Sequence, residues 1–368
     1  MGLIRVVHVD NMMGYGGAEQ AIFQLMRRLR PEEFRLTVVE LMRPPVDLPG
    51  LLDTPHEVVR LNLRRKFPPP VRRLNATLRQ QNAQILQTHL SRPGLLGSLV
   101  SRPTGLRVIH TLHSTWPTLG RWNQWFDQCA IRRADVTVCV SRSVLESVPD
   151  ALRRGRDFRV IYNGVDVEAI AAVPCDRDAL RQELGLADRR PILGVVGRLH
   201  PAKGHEVLLR ALPRVLKHHP EAVVICAGDG RLAEPLTALA QELGVAHAVR
   251  LLGFREDRLA LMKLCDVIVM PSLWEGLPMA LLEACAVHAP VVCSDVPVFV
   301  EIIEDGRSGL IAPRGDAQAL ADRLLEMLSD PVGAARMADR AFEAVSARFS
   351  SKVMADQYAA LYRSLVAS

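Results

Sequence analysis

At 368 residues and 49% apolar, the chain is too long for one ordinary core and suits two domains. No run of about 18 apolar residues occurs, which excludes a membrane-spanning helix. The net charge of +6 hides an asymmetry: residues 1–166 carry 24 basic and 14 acidic side chains, whereas the remainder is net acidic.

The opening LIRVVHVD reads as a first strand, without the long apolar core and cleavage site of a signal peptide. It runs into NMMGYGGAE, a Gly-rich loop before the helical stretch EQAIFQLMRRL. A dinucleotide-binding turn would need a third glycine where Glu19 stands. RLTVVEL is the next strand, and Glu40 at its end is the one acid that such a turn could use for a ribose.

Residues 58–126 contain no Asp or Glu but eleven Arg and Lys. Such a field favours anionic partners, or is simply a solvated basic face. KFPPP, residues 66–70, reads as a stiff extended connector inside it, flanked by Arg64, Arg65, Arg72 and Arg73. AQILQTH and LRVIHTLH are strands, and STWPTLGRWNQWF after them gathers three of the four tryptophans. Aromatic rings beside arginine suit either a packed cluster or a membrane-docking surface for a lipid-linked or glycan acceptor. Nucleic acid has only the charge in its favour and is not expected as a partner.

DVTVCV and RVIY complete a first set of strands. The break falls at YNGVD, residues 162–166, giving a first domain over 1–166 and a second over 167–345. The helical stretch from about 346 to 368 is expected to pack back on the first. Asp176-Arg177-Asp178 has the D-x-D form of a metal–diphosphate site. It follows no strand and precedes ALRQELGL, so helix capping is the better reading. No metal site is expected.

ILGVVG, AVVICAG, VRLLG, DVIVM and VVCSD are strands of the second set. Strand–helix alternation on both sides of the break predicts an α/β protein with two doubly wound, Rossmann-like domains. Seven cysteines without a C-x-x-C read as free thiols in a reducing compartment, so a cytosolic address is expected.

In open α/β sheets, ligands bind beyond the carboxyl ends of the strands. After ILGVVG comes RLHPAKG, where Arg198 and Lys203 form a clamp for a diphosphate, one forking and one a point charge. DVIVM exits through PSLWEG, and Pro278 suits the first turn of the helix that follows. Backbone N–H groups from Gly276 to Ala280 would offer an anion cradle. Glu275 lies before that helix and Glu283 in its second turn. Two acids at a phosphate site should touch hydroxyls, one on a sugar ring and the other on a ribose.

GRLHPAKG, the two glutamates with seven residues between them, YNGVD, and GGAE at residues 16–19 resemble the retaining glycosyltransferases of family 4. The resemblance covers nearly the whole chain and implies the GT-B fold, two domains facing across a cleft. It implies transfer of a sugar from a nucleoside-diphosphate sugar with anomeric configuration kept, without metal or other cofactor. Arg198 and Lys203 would hold the diphosphate, and Glu283 the ribose. Glu275 would lie by the donor sugar with the backbone of Gly276, Leu277, Pro278 and Met279. Gly16 and Gly17 would form the first-domain loop on the phosphate side, and Gly253 and Phe254 would read the base. His113 matches the family histidine near the anomeric centre, while His110 should face the other side of its strand. A place in polysaccharide or glycolipid synthesis, peripheral to the inner face of a membrane, is the expected setting. A phosphorylase or epimerase on this fold, or a non-catalytic sugar-nucleotide-binding module, is the competing reading.

Overall fold

The computed structural model describes residues 2–14, 16–42, 51, 54–61, 71–100, 105–186 and 190–367. The chain divides into two compact units, Met1–Val165 with Phe349–Ser368, and Asp166–Arg348.

The first unit is a seven-stranded parallel sheet. Its strands are β1 (Ile4–Asp10), β2 (Phe34–Glu40), β3 (Glu57–Arg60), β4 (Ile85–His89), β5 (Arg107–Leu112), β6 (Val136–Cys139) and β7 (Phe158–Val160). They lie in the order β3-β2-β1-β4-β5-β6-β7. Helices cover both faces, so an interior strand such as β4 is buried along its whole length rather than at alternate residues. The second unit has β8 (Ile192–Val196), β9 (Val223–Ala227), β10 (Val249–Gly253), β11 (Val267–Met270), β12 (Val291–Ser294) and β13 (Leu310–Ala312). Their order is β10-β9-β8-β11-β12-β13, also parallel. Winding direction reverses between β1 and β4 in one sheet and between β8 and β11 in the other. Those two positions are where ligands of such sheets bind.

Two strands escape the sequence reading, β3 and β13. Both are sheet edges of four and three residues.

YNGVD has a structural role that its sequence conceals. A Cβ on Gly164 would lie 2.4 Å from the Ser350 carbonyl oxygen. Beside it, Val165 N donates to Phe349 O at 3.0 Å and Ser351 N to Val165 O at 2.7 Å. Asp166 then caps the helix Val167–Ala171, accepting from Ala169 N. From Ser351 the last helix, Ser351–Ala367, lies on the first unit. Met354, Tyr358 and Tyr362 join Ile22, Leu25, Phe34 and Leu36 in one buried cluster. Arg363 forks onto Glu33 across this contact.

Asp176 is an N-cap, its carboxylate accepting from Ala179 N at 3.0 Å. The D-x-D is thus a helix start. All seven cysteines are free thiols, five of them buried. Among the described residues no helix is long and apolar enough to cross a membrane.

Candidate active site

In the second unit, three strand-exit loops stack on one another. The first follows β8, the second β9 and the third β11. Leu199 N donates to Asp229 O at 2.9 Å, and Leu273 N to Ala202 O at 2.7 Å, so the β8 loop is bonded to both neighbours. Close approach explains the glycine after Lys203. Gly204 has φ +64, and a Cβ there would lie 1.9 Å from the Pro271 carbonyl oxygen.

This stacking delivers charged groups to one place, the reversal point between β8 and β11. Lys203 Nζ meets Glu275 Oε1 at 2.7 Å, and Ser272 Oγ donates to the same oxygen at 2.9 Å. Lys203 spends one of its three N–H donors there and keeps two for a ligand. Arg198 is exposed, and its guanidinium has no hydrogen bond or ion pair among the described residues. Arg231, on the loop after β9, is exposed and equally without a partner among them. His200 lies among these cations: burial first, then Arg198, Arg231 and Lys203, hold its imidazole below the ordinary range. Its Nδ1 accepts from Ala202 N, and Trp274 stands edge-on to its ring at 6.5 Å.

Pro278 is the N-cap of the helix Met279–Ala286 rather than its first turn, and no side chain caps that end. Gly276 and Met279 are half-buried, and Leu277 and Pro278 buried. Glu283 is buried in the helix, and Arg258 holds both its oxygens, Nη2 at 2.7 Å and Nε at 3.2 Å. Two carboxylate oxygens have about four acceptor positions, so the fork leaves lone pairs for hydroxyls. Sequence reasoning missed Arg258, because the ion pair joins residues 25 apart that share no motif. Gly253 ends β10 with φ +69, its carbonyl accepting from Gly228 N, and Phe254 beside it is exposed.

In the first unit, Gly16 is the N-cap of the helix Gly17–Arg28. The Glu19 carboxylate folds against it, since a Cβ at Gly16 would lie 2.1 Å from Glu19 Oε2. Asp10, at the end of β1, is fully buried. Burial above all, with the Glu19 and Glu40 carboxylates adding, raises its carboxyl well above the usual range. Glu40 is already engaged, accepting from Met13 N at 2.9 Å and from Arg60 Nε at 2.7 Å. Its side chain is also 0% exposed, and with Glu19 in place of the third glycine this counts against the dinucleotide reading.

His113 follows β5 and is half-buried. Its Nε2 lies 3.0 Å from His89 Nδ1, and His89 Nε2 lies 3.0 Å from His8 Nδ1. Tyr362 Oη follows, 3.3 Å from His8 Nε2 and donating to Gln87 Oε1 at 2.6 Å. Burial drives His8 and His113 down to about 3 and His89 well below its ordinary value, so all three rings are neutral. His110 faces the opposite side of β5, bonded to Thr88 and Asp127. Trp122 and Trp125 are 76% and 49% exposed on the helix Arg121–Arg133, edge to face with each other. They do not pack into a core. Arg64, Arg65, Lys66 and the rest of KFPPP lie outside the described residues.

Two doubly wound parallel sheets, one with cations and carboxylates gathered at its reversal point, define an α/β protein of the GT-B class. Residues 176–344 match the family of glycosyl transferases group 1, and residues 15–169 match glycosyltransferase family 4. The chain is 26% identical over 353 residues to a UDP-Gal:alpha-D-GlcNAc-diphosphoundecaprenol alpha-1,3-galactosyltransferase of Escherichia coli, covering 89% of each. It is 32% identical over 259 residues to a GDP-mannose-dependent alpha-(1-6)-phosphatidylinositol monomannoside mannosyltransferase of Mycolicibacterium smegmatis, covering 66% of each. The fold matches that of Anabaena HepE in complex with UDP-glucose, with a TM-score of 0.83 at 24% identity over 98% of this chain and 100% of that one. The chain belongs to glycosyltransferase family 4 and is a glycosyltransferase that uses nucleotide sugars.

Proposed function

We propose that the chain transfers a sugar from a nucleoside-diphosphate sugar to a lipid-linked or glycan acceptor, keeping the anomeric configuration and using no metal. The observation that carries this reading is the Arg198, Lys203 and Glu275 cluster at the β8–β11 reversal point. As the bond from the anomeric carbon to the diphosphate breaks, negative charge grows on the leaving group. Arg198 and the two spare N–H groups of Lys203 offset it, which is the work a divalent ion does elsewhere. The uncapped start of Met279–Ala286 adds the positive end of a helix. Glu275 accepts from hydroxyls of the sugar and Glu283 from the ribose. The new bond forms on the face the leaving group vacates, and the acceptor proton passes to a diphosphate oxygen. The donors named for the relatives, UDP-galactose and GDP-mannose, share the diphosphate and hydroxylated sugar that this set of groups suits.

The test is release of nucleoside diphosphate from a panel of sugar nucleotides. Release that requires acceptor and survives EDTA is the expected result, with product retaining the donor's anomeric form. Phosphate-dependent glycan cleavage would instead make the enzyme a phosphorylase, and loss of turnover in EDTA would overturn the metal-free reading.

The lipid-linked acceptor of the E. coli relative fits the aromatic–basic surface of the first unit. Trp122 and Trp125 stand ready to enter an interface, with Arg121 exposed beside them. Flotation with vesicles containing about one-third anionic lipid should recover the protein, and Trp122→Ala with Trp125→Ala should lower recovery at least about tenfold. Equal recovery of both proteins would sink the docking role of these rings.

A further inference from the structure

The chain Tyr362–His8–His89–His113 has a direction, and the direction follows from one hydrogen. Tyr362 has a single hydroxyl hydrogen and gives it to Gln87 Oε1 at 2.6 Å. The Gln87 amide turns its Nε2 to Thr111 Oγ1 at 2.9 Å and its Oε1 to Tyr362. The Tyr362 oxygen is therefore an acceptor toward His8, and the hydrogen of that 3.3 Å contact resides on His8 Nε2. A neutral imidazole has one N–H, so His8 Nδ1 is bare. Two bare nitrogens at 3.0 Å would repel, so His89 Nε2 carries the hydrogen of the next contact. The same step repeats once more. His89 Nδ1 is bare, and His113 Nε2 carries the hydrogen that reaches it.

We propose that Tyr362, His8 and His89 are positioning residues that hold His113 as its Nε2–H tautomer, so that its Nδ1 accepts a hydrogen bond from a hydroxyl of the ligand. Among the described residues His113 Nδ1 has no partner. A ligand meeting it must bring a donor, and a sugar hydroxyl is one, whereas a phosphate oxygen is not. His8 and His89 are buried, and only His113 at the end of the chain is partly exposed, which leaves the first two no role in direct contact with substrate. The inference rests on the reading of His113 as a neighbour of the donor sugar, and it names the kind of contact made there.

Nitrogen-15 labelling of the histidines in the full-length protein reads the tautomer directly, with the His113 resonances assigned from a His113→Gln spectrum. The wild type should show His113 protonated at Nε2 and bare at Nδ1, without any substrate present. Tyr362→Phe removes the acceptor that starts the chain while keeping the ring. There the two His113 nitrogen shifts should move toward each other, and kcat should fall roughly tenfold or more with donor KM within about twofold. An Nδ1–H form of His113 in the wild type, or wild-type shifts in Tyr362→Phe, would overturn the proposal. A His113→Ala enzyme with undiminished turnover would overturn the placement of His113 at the sugar instead, since the spectrum needs no ligand.

Discussion

Replacing Lys203 with alanine is expected to lower kcat/KM about 10²- to 10³-fold, a loss of ~3–4 kcal/mol of transition-state stabilisation. The ammonium is the compact charge of the cluster, and the substitution leaves Arg198 alone against the growing charge of the diphosphate. A folding defect is a competing cause of lost activity, and the geometry limits it. Glu275 retains the Ser272 hydroxyl at 2.9 Å and partial access to water, so losing its 2.7 Å partner should cost roughly 1–3 kcal/mol. Steady-state kinetics beside a thermal melt separate the two effects. A cooperative melt with most turnover gone is the expected pair of results, and turnover within about threefold of wild type would remove Lys203 from the phosphate site.

A second large effect comes from Arg258. Alanine there removes both hydrogen bonds that Arg258 gives a buried carboxylate, and one-sided removal of such a pair costs about 3–5 kcal/mol. In a unit of this size that is a fall in Tm of roughly 6–20 °C. Removing both charges should behave differently. Arg258→Met with Glu283→Leu leaves no unpaired charge and should recover most of the lost stability. It should not recover donor binding, because the hydroxyl-accepting oxygens are gone. Melting curves with nucleotide titrations on the single and double variants check both halves. Restored donor affinity in the double variant would show that Glu283 meets no part of the donor.

The sheets were legible because their strands are short apolar runs spaced by helix-period segments. LIRVVHVD overruns β1 by one residue at its start. The edges β3 and β13 were not, although the other two edges, β7 and β10, were. At the site, strand-end position could be read from sequence for Arg198, Lys203 and Glu275, since the loops follow β8 and β11 directly. Their mutual contacts could not. Lys203 with Glu275, Arg258 with Glu283, and the three-histidine chain each join residues from separate stretches, and only packing of the sheet brings them together. His8 looked like one more residue of an apolar strand. Charge patterning suggested a basic aromatic surface but not whether its rings were buried, and that depended on which face of the helix Arg121–Arg133 met the sheet.

The return of the chain at Ser350 bears on how the protein is made. Tyr358 and Tyr362 are interior residues of the same unit as Met1–Val165, yet they are synthesised after the whole of the other unit. All of Asp166–Arg348 is translated in between, roughly 10–40 s at ordinary elongation rates. Throughout that interval Ile22, Leu25 and Phe34 lack their cover and present an apolar face to chaperones. Nonsense changes at the codons of Ser351–Ala367 would accordingly damage the first unit while leaving Asp166–Arg348 able to fold.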